Sequence, residues 1–315
     1  MASVLVFSER ASLTFELLGK AKELGGQIGL EVAAAAFTPA DAEAYLERGT
    51  SRVFYSDQAE VKDFEASTYA QALAQIAQKA GASLILLGST RRGKELAGRL
   101  AQKIRAGCLT DVKSLEWKEG KVIGVRNAFG GATEATQVIT TQTQVVALMP
   151  RAYEPAPEGD KKGEIVTLPL DLTPSRVKVL KRSEKDTGAA DIQGAEVLVC
   201  VGKGLARQED LKMIEELAQA MGALVACTKP LATDLKWLPE SRIVGLSGKI
   251  GRPRLALCLG ISGQVQFAVG IREAKTLMAI NTDPNAYIFQ ITDYGMIADL
   301  HQAVPQLTAA MKQAG

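Results

Sequence analysis

Apolar and polar positions follow two rhythms along the chain. Short apolar runs (Val4–Phe7, Leu30–Phe37, Val53–Tyr55, Leu84–Leu87) alternate with stretches near Ser12–Leu24 and Ala66–Ala80, where apolar residues recur at helical spacing. Buried runs alternating with amphipathic helices predict parallel strands joined by crossover helices. Past a helix carrying Arg92–Ile104 the pattern shortens. Val122–Val125, Thr136–Thr141 and Val145–Leu148, with turn signals at Glu119-Gly120 and Gly130-Gly131, predict antiparallel strands added to the same sheet.

Residues 150–194 break the rhythm with Pro, charge and small side chains, as in "RAYEPAPEGDKKGE" and "KRSEKDTGAADIQG". Such a stretch buries little apolar area and reads as a linker region, although Ile165–Leu168 can still pair as a strand. From Ala195 the α/β alternation returns. Strands are predicted at Val197–Val201, Leu224–Cys227, Ile243-Val244, Leu255–Leu259, Thr276–Ile280 and Tyr287–Ile291, with helices near Gln208–Met221, after Gly263 and near Met296–Met311. The fold class is therefore α/β, with two doubly wound domains divided at residues 190/191. A length of 315 residues agrees, since single cores tend to split beyond about 250–300.

Composition narrows the function. Lys and Arg number 37 against 35 for Asp and Glu, and no block of like charge stands out, so nothing calls for nucleic acid. The N-terminus enters a strand pattern without a basic leader, and no apolar run reaches membrane-spanning length. The expected location is the cytoplasm, at most peripheral to a membrane through partners. Cys108, Cys200, Cys227 and Cys258 are widely spaced in apolar contexts and read as core residues rather than metal ligands. His301 is the single histidine and reads as solvated or structural, which leaves no triad and no histidine–metal site. Chemistry then falls to a bound cofactor.

In open parallel sheets, ligands gather beyond the carboxyl ends of the strands. Those ends in the second domain share one character: Gly202-Lys203-Gly204, Thr228-Lys229-Pro230, Gly245-Leu246-Ser247-Gly248-Lys249, Gly260-Ile261-Ser262-Gly263 and Asn281-Thr282-Asp283-Pro284. Glycines let phosphate oxygens reach backbone donors, hydroxyls bond them directly, and Lys203 and Lys249 can offset their charge. The rim suits a nucleotide with a pyrophosphate, with Asn281 and Asp299 placed for ribose or adenine edges. G-x-G-x-x-G opens neither domain and G-x-x-x-x-G-K-[ST] is missing, so neither a standard NAD dehydrogenase nor a P-loop enzyme is indicated. The corner Arg91, Arg92 and Lys94 reads as a solvated helix start or a subunit contact, and Trp117 and Trp237 as packing residues.

The segments "VGLSGKIGRPRLALCLGISGQVQFAVG" and "KTLMAINTDPNAYIFQITDYGMIADLHQAVPQL" resemble the C-terminal signature of electron-transfer flavoprotein alpha subunits. "LILLGSTRRGKELAGRLAQKI", "FGGAT" and "ACTKPLATDLKW" resemble its FixB branch, so the likeness spans the chain. The resemblance implies a nucleotide-hydrolase-like N-terminal domain, residues 1–190, packed on a beta subunit, and a flavodoxin-like FAD-binding domain, residues 191–315. It implies an electron carrier rather than a substrate-transforming enzyme. Electrons would come from a flavin dehydrogenase of acyl-CoA dehydrogenase type, as in fatty acid oxidation, or from NADH through the beta subunit. They would leave to a quinone oxidoreductase or a ferredoxin-type acceptor, and whether such an assembly bifurcates electrons stays open.

Carried over by position, the family's FAD contacts fall on Lys203, Thr228, Lys229, Val244, Gly245, Leu246, Ser247, Ser262, Gly263, Gln264, Val265, Gln266, Phe267, Asn281, Asp299 and Leu300. The departures concern redox tuning. Lys229 stands for the arginine beside the flavin and loses its planar fork. Phe267 stands for the histidine near the pyrimidine edge and cannot donate a hydrogen bond there, which implies a less stabilised anionic flavin and a lower potential. Ser247 replaces threonine but keeps a hydroxyl for flavin N5, while Lys203 and Leu246 replace an arginine and a glutamine. Two rivals share the α/β rhythm: an adenine-nucleotide-binding module of universal-stress type without a redox role, and a structural subunit whose flavin site has decayed.

Overall fold

The computed structural model describes residues 2–175, 177 and 191–314, apart from 120, 132 and 160–162. The predicted turn residue Gly120 and most of the "KRSEKDTGAADIQG" segment, including the expected boundary at 190, lie outside the described residues. The chain divides into two compact units, Met1–Leu180 and Lys181–Gly315.

The first unit runs β1 (Ser3–Phe7), α1 (Ala11–Ile28), β2 (Glu31–Ala36), α2 (Pro39–Glu47), β3 (Arg52–Tyr55), α3 (Ala66–Ala80), β4 (Ala82–Gly88), α4 (Arg91–Ile104), β5 (Gly107–Lys118), β6 (Lys121–Ala128), β7 (Thr133–Val138), β8 (Gln144–Leu148) and β9 (Glu164–Thr167). They form one sheet of nine strands in the order β7-β6-β5-β8-β4-β1-β2-β3-β9. Strand β1 is wholly buried, and its side chains alternate between two cores: Val4 and Val6 face Leu17, Leu18 and Tyr45, while Leu5 and Phe7 face Tyr69, Leu73 and Leu100. Burial on both faces explains why these strands read as continuous apolar runs.

The added strands are antiparallel only in part. Strand β6 pairs antiparallel with β5 and β7, as expected, but Val145–Leu148 belongs to β8, which lies parallel to both β4 and β5. With Val146 and Leu148 in one core and Val145 and Ala147 in the other, β8 has the two-sided burial of a central parallel strand.

The winding of the first sheet reverses between β4 and β1. There the Thr90 hydroxyl, which caps α4 by accepting from the Gly93 amide at 2.9 Å, donates to the Glu9 carboxylate. The basic corner beside it is engaged: Lys94 Nζ lies 3.2 Å from Asp111, and the Arg92 guanidinium stands over the Phe64 ring.

The second unit comprises β10 (Val197–Val201), α5 (Leu211–Ala220), β11 (Leu224–Cys227), α6 (Lys229–Thr233), β12 (Leu255–Leu259), α7 (Val265–Ala268), β13 (Thr276–Asn281), β14 (Tyr294–Ile297) and α8 (Leu300–Ala314). Its five parallel strands run β11-β10-β12-β13-β14, the 2-1-3-4-5 order of flavodoxin-like sheets, with the switch between β10 and β12. Helices α5 and α8 cover one face through Leu211, Ile214, Leu217, Ala303 and Val304. Phe267, Ile271 and Ile288 cover the other.

Two predicted strands take other forms. Ile243 makes only a single bridge to Cys227, because Gly245 at φ 130° turns the chain back and its amide donates to the Lys249 carbonyl at 3.0 Å. Tyr287–Ile291 is mostly a 3-10 turn: Phe289 and Ile291 donate three residues back to Ala286 and Ile288. Buried Ile288 also donates to the Ser262 carbonyl at 3.0 Å, so this apolar run packs under the neighbouring turn instead of joining the sheet. The strand begins later, where Asp293 exchanges hydrogen bonds with the backbone of Leu277. Met296 and Ile297 then pair with β13, so α8 starts at Leu300 rather than near Met296.

Candidate functional site

Where β10 and β12 end side by side, the chain makes two glycine turns. Gly202 donates to the Leu259 carbonyl at 3.0 Å and Gly204 to the Gly260 carbonyl at 2.9 Å. A Cβ on Gly202 would meet the Gly260 oxygen at 2.5 Å, so the turns approach as only bare backbone can. Beyond them opens a cavity of about 880 Å³ at the carboxyl edge of the sheet. Open α/β sheets hold ligands at this position.

The cavity brings together most of the residues expected from sequence: Lys203, Thr228, Lys229, Val244, Leu246, Ser247, Ser262, Gly263, Gln264, Gln266, Phe267 and Asn281. Four others stand behind the lining. Gly245 backs onto the Gln266 carbonyl, which a Cβ there would meet at 2.3 Å. Val265 opens α7 and is half exposed. Asp299 caps α8, its carboxylate accepting from the His301 amide at 2.7 Å, and Leu300 is buried in the core beneath. Lys249 also stands outside the lining, its backbone closing the 243–249 loop. The lining adds Ile261, Asp283 and Ala286, along with Gly202, Gly204, Pro230 and Gly260 from the turns. Ile261 and Ala286 carry no chemical signal in sequence, since each contributes only shape.

The donor set suits an anionic ligand. Among the described residues, the amides of Ser262, Gly263 and Gln264 find no acceptor within the protein, and the side chains of Lys203, Thr228, Lys229, Ser247 and Ser262 make no hydrogen bond or ion pair. Gly263 at φ 86° sits where a Cβ would strike the Ile288 amide nitrogen at 2.3 Å, so the turn holds these amides in place. Asn281 braces it: its amide donates to the Ile261 carbonyl at 2.9 Å, and its oxygen accepts from Asp283 at 3.0 Å. Pro230, Val244, Leu246, Ile261, Phe267 and Ala286 add apolar surface to the same lining, as a ring system needs.

Beneath the rim, burial pushes the Cys227 thiol up to about 12, and the adjoining Cys258 thiol together with burial raises that of Cys200. Cys200 and Cys258 face each other in register on β10 and β12. These are inert packing groups. His301 lies between two carboxylates, with Nδ1 3.1 Å from Asp299 and Nε2 3.2 Å from Asp210, and their hydrogen bonds raise its pKa.

The fold and cavity define a flavodoxin-like sheet with an anion-accepting rim, joined in one chain to a second doubly wound domain. Family models agree: the electron transfer flavoprotein domain matches residues 4–173, and the electron transfer flavoprotein FAD-binding domain matches residues 191–272. The chain is 37% identical over 305 residues to a protein of Acetobacterium woodii named lactate dehydrogenase (NAD(+),ferredoxin) subunit LctC, covering 94% of this chain and 72% of that one. It is 32% identical to the putative electron transfer flavoprotein subunit YdiR of Escherichia coli, over 99% of this chain and 98% of that one. It is also 32% identical to protein FixB of Shigella dysenteriae, over 98% of both. The chain belongs to the electron transfer flavoprotein family, and the match of residues 191–272 to that family's alpha-type domain marks it as a subunit of alpha type. No helix of the described residues is long and apolar enough to cross a membrane.

Proposed function

We propose that the cavity holds FAD and that the chain works as the alpha subunit of a heterodimer, completed by an electron-transfer flavoprotein beta subunit. The observation that carries this reading is the turn 262–264, whose amides lack protein acceptors among the described residues and border a cavity lined by both polar and apolar side chains. FAD, when bound, supplies the electron-carrying ring. The chain itself binds, orients and tunes. Lys203 and the 262–264 turn receive the diphosphate, Ser247 offers a hydroxyl to the ring, and Phe267 packs at its edge. No side chain of this site need act as a general acid or base, because redox chemistry belongs to the ring.

Electrons enter from a flavin dehydrogenase of acyl-CoA dehydrogenase type, or from NADH by way of the beta subunit, and leave to a quinone oxidoreductase or ferredoxin-type acceptor. The name of the Acetobacterium relative supports a ferredoxin route. The complex acts in the cytoplasm. The test is the visible spectrum of the purified heterodimer. Flavin bands with FAD released on denaturation support the reading, and a protein left colourless after incubation with FAD refutes it. Counting flavins per heterodimer separates simple transfer from bifurcation, which needs a second flavin in the beta subunit.

A further inference from the structure

Asp210 ends the turn that follows the rim loop 202–204, and its Oδ2 is buried without a well-aligned hydrogen bond. The group facing that oxygen is His301 Nε2 at 3.2 Å. The other ring nitrogen faces Asp299, and Arg207 reaches the remaining Asp210 oxygen at 3.3 Å. These are the charged groups in contact with the cluster among the described residues. A neutral imidazole has one N–H and one lone pair, so it can serve only one carboxylate; bridging both takes the imidazolium with two donors.

The bridge bears on the cavity through the first turn of α8, which is one helical hydrogen bond short. Pro305 has no N–H, and the carbonyl of His301 loses the helical donor four residues along. Leu300 rides on that turn, its Cδ1 3.1 Å from where a Cβ on the lining residue Gly260 would sit. The ring thus links two rim segments: the start of α8, which carries Asp299 and Leu300, and the chain that leads out of Gly202-Lys203-Gly204.

We propose that His301 is a positioning residue whose imidazolium clasps the start of α8 to Asp210 and so slows release of the nucleotide cofactor from the cavity. The proposal rests on the FAD reading above. With a single histidine in the chain, the ring gives one titrating NMR resonance. In the full chain that resonance titrates above the ordinary 6.5, and in Asp210→Asn it falls back towards it. FAD release, followed by flavin fluorescence, speeds up about twofold to fivefold as pH rises through this titration, the scale of an ion pair with one partner half exposed. Release from His301→Gln is fast and indifferent to pH. A resonance titrating at or below 6.5, or unmoved by Asp210→Asn, overturns the clasp. A raised titration with release rates indifferent to pH and to His301→Gln overturns its part in retention. A chain that takes up no FAD refutes the flavin reading instead, and the NMR titration then judges the clasp by itself.

Discussion

Gly204 and Gly260 meet backbone to backbone at the switch point: the Gly204 amide donates to the Gly260 carbonyl at 2.9 Å, and a Cβ on Gly204 would lie 2.5 Å from the Gly260 Cα. Neither position has room for a methyl group. Gly204→Ala is therefore expected to push the rim loop off the β12 turn, lowering stability by about 1–3 kcal/mol, as for other overpacked sites. Thermal unfolding and the flavin-to-protein absorbance ratio both fall. Unchanged values in both would mean that the two turns yield more easily than their geometry indicates.

The Phe267 ring lines the cavity without a donor to offer. Phe267→His restores one, and the reduction potential of bound FAD is expected to rise, because a donor stabilises negative charge on the reduced ring. Equilibrium titration against a redox dye reads the shift. A potential equal to that of the unmodified protein would remove Phe267 from the flavin's edge.

Ser262 lies in the turn whose amides lack protein acceptors. Ser262→Asp sets a carboxylate against the cofactor's phosphates and is expected to weaken FAD binding about tenfold or more, equivalent to at least ~1.4 kcal/mol. Ultrafiltration of FAD-loaded protein measures the loss. Undiminished occupancy would place the diphosphate elsewhere.

In the first unit, Glu65 caps α3, its carboxylate accepting from the Ser67 amide at 2.9 Å and the Thr68 amide at 2.8 Å. Partial burial alone would raise its pKa, but these donors outweigh it and hold the group below the ordinary 4.5. A lowered folded-state pKa means a contribution fully present above 4.5 and lost as pH falls through the folded value. Glu65→Ala is expected to cost about 1 kcal/mol at neutral pH, as for other N-caps. Denaturant melts should show the gap between the two proteins closing in acid; a constant gap would assign the effect to packing instead.

How much could be read in advance depended on how local each determinant was. Val197–Val201 and Leu255–Leu259 lie as predicted, because strands buried on both faces read as unbroken apolar runs wherever they occur. Tyr287–Ile291, apolar but for Gln290, offers a similar signal in sequence, yet the run folds into a turn because Ile288 is needed under Ser262, a contact between residues far apart in the chain. The glycine and hydroxyl rim was legible since backbone approach and donor chemistry restrict residue type. Ile261 and Ala286 were not, for any small or medium apolar residue meets the same need. Val145–Leu148 was visible as a strand but not in its direction, which is set by β4 and β5 on either side.

The two sheets of this chain treat their reversal points in opposite ways. In the second, the turn after Gly260 leaves the amides of Ser262, Gly263 and Gln264 without protein acceptors among the described residues. In the first, the chain inserts its own acid: Glu9 sits at the start of α4, bonded to the residue that caps it. An incoming phosphate would there meet like charge in a seat already filled from within. One architecture has thus been built twice in a single polypeptide, once with backbone amides left open at the reversal point and once with a carboxylate seated there.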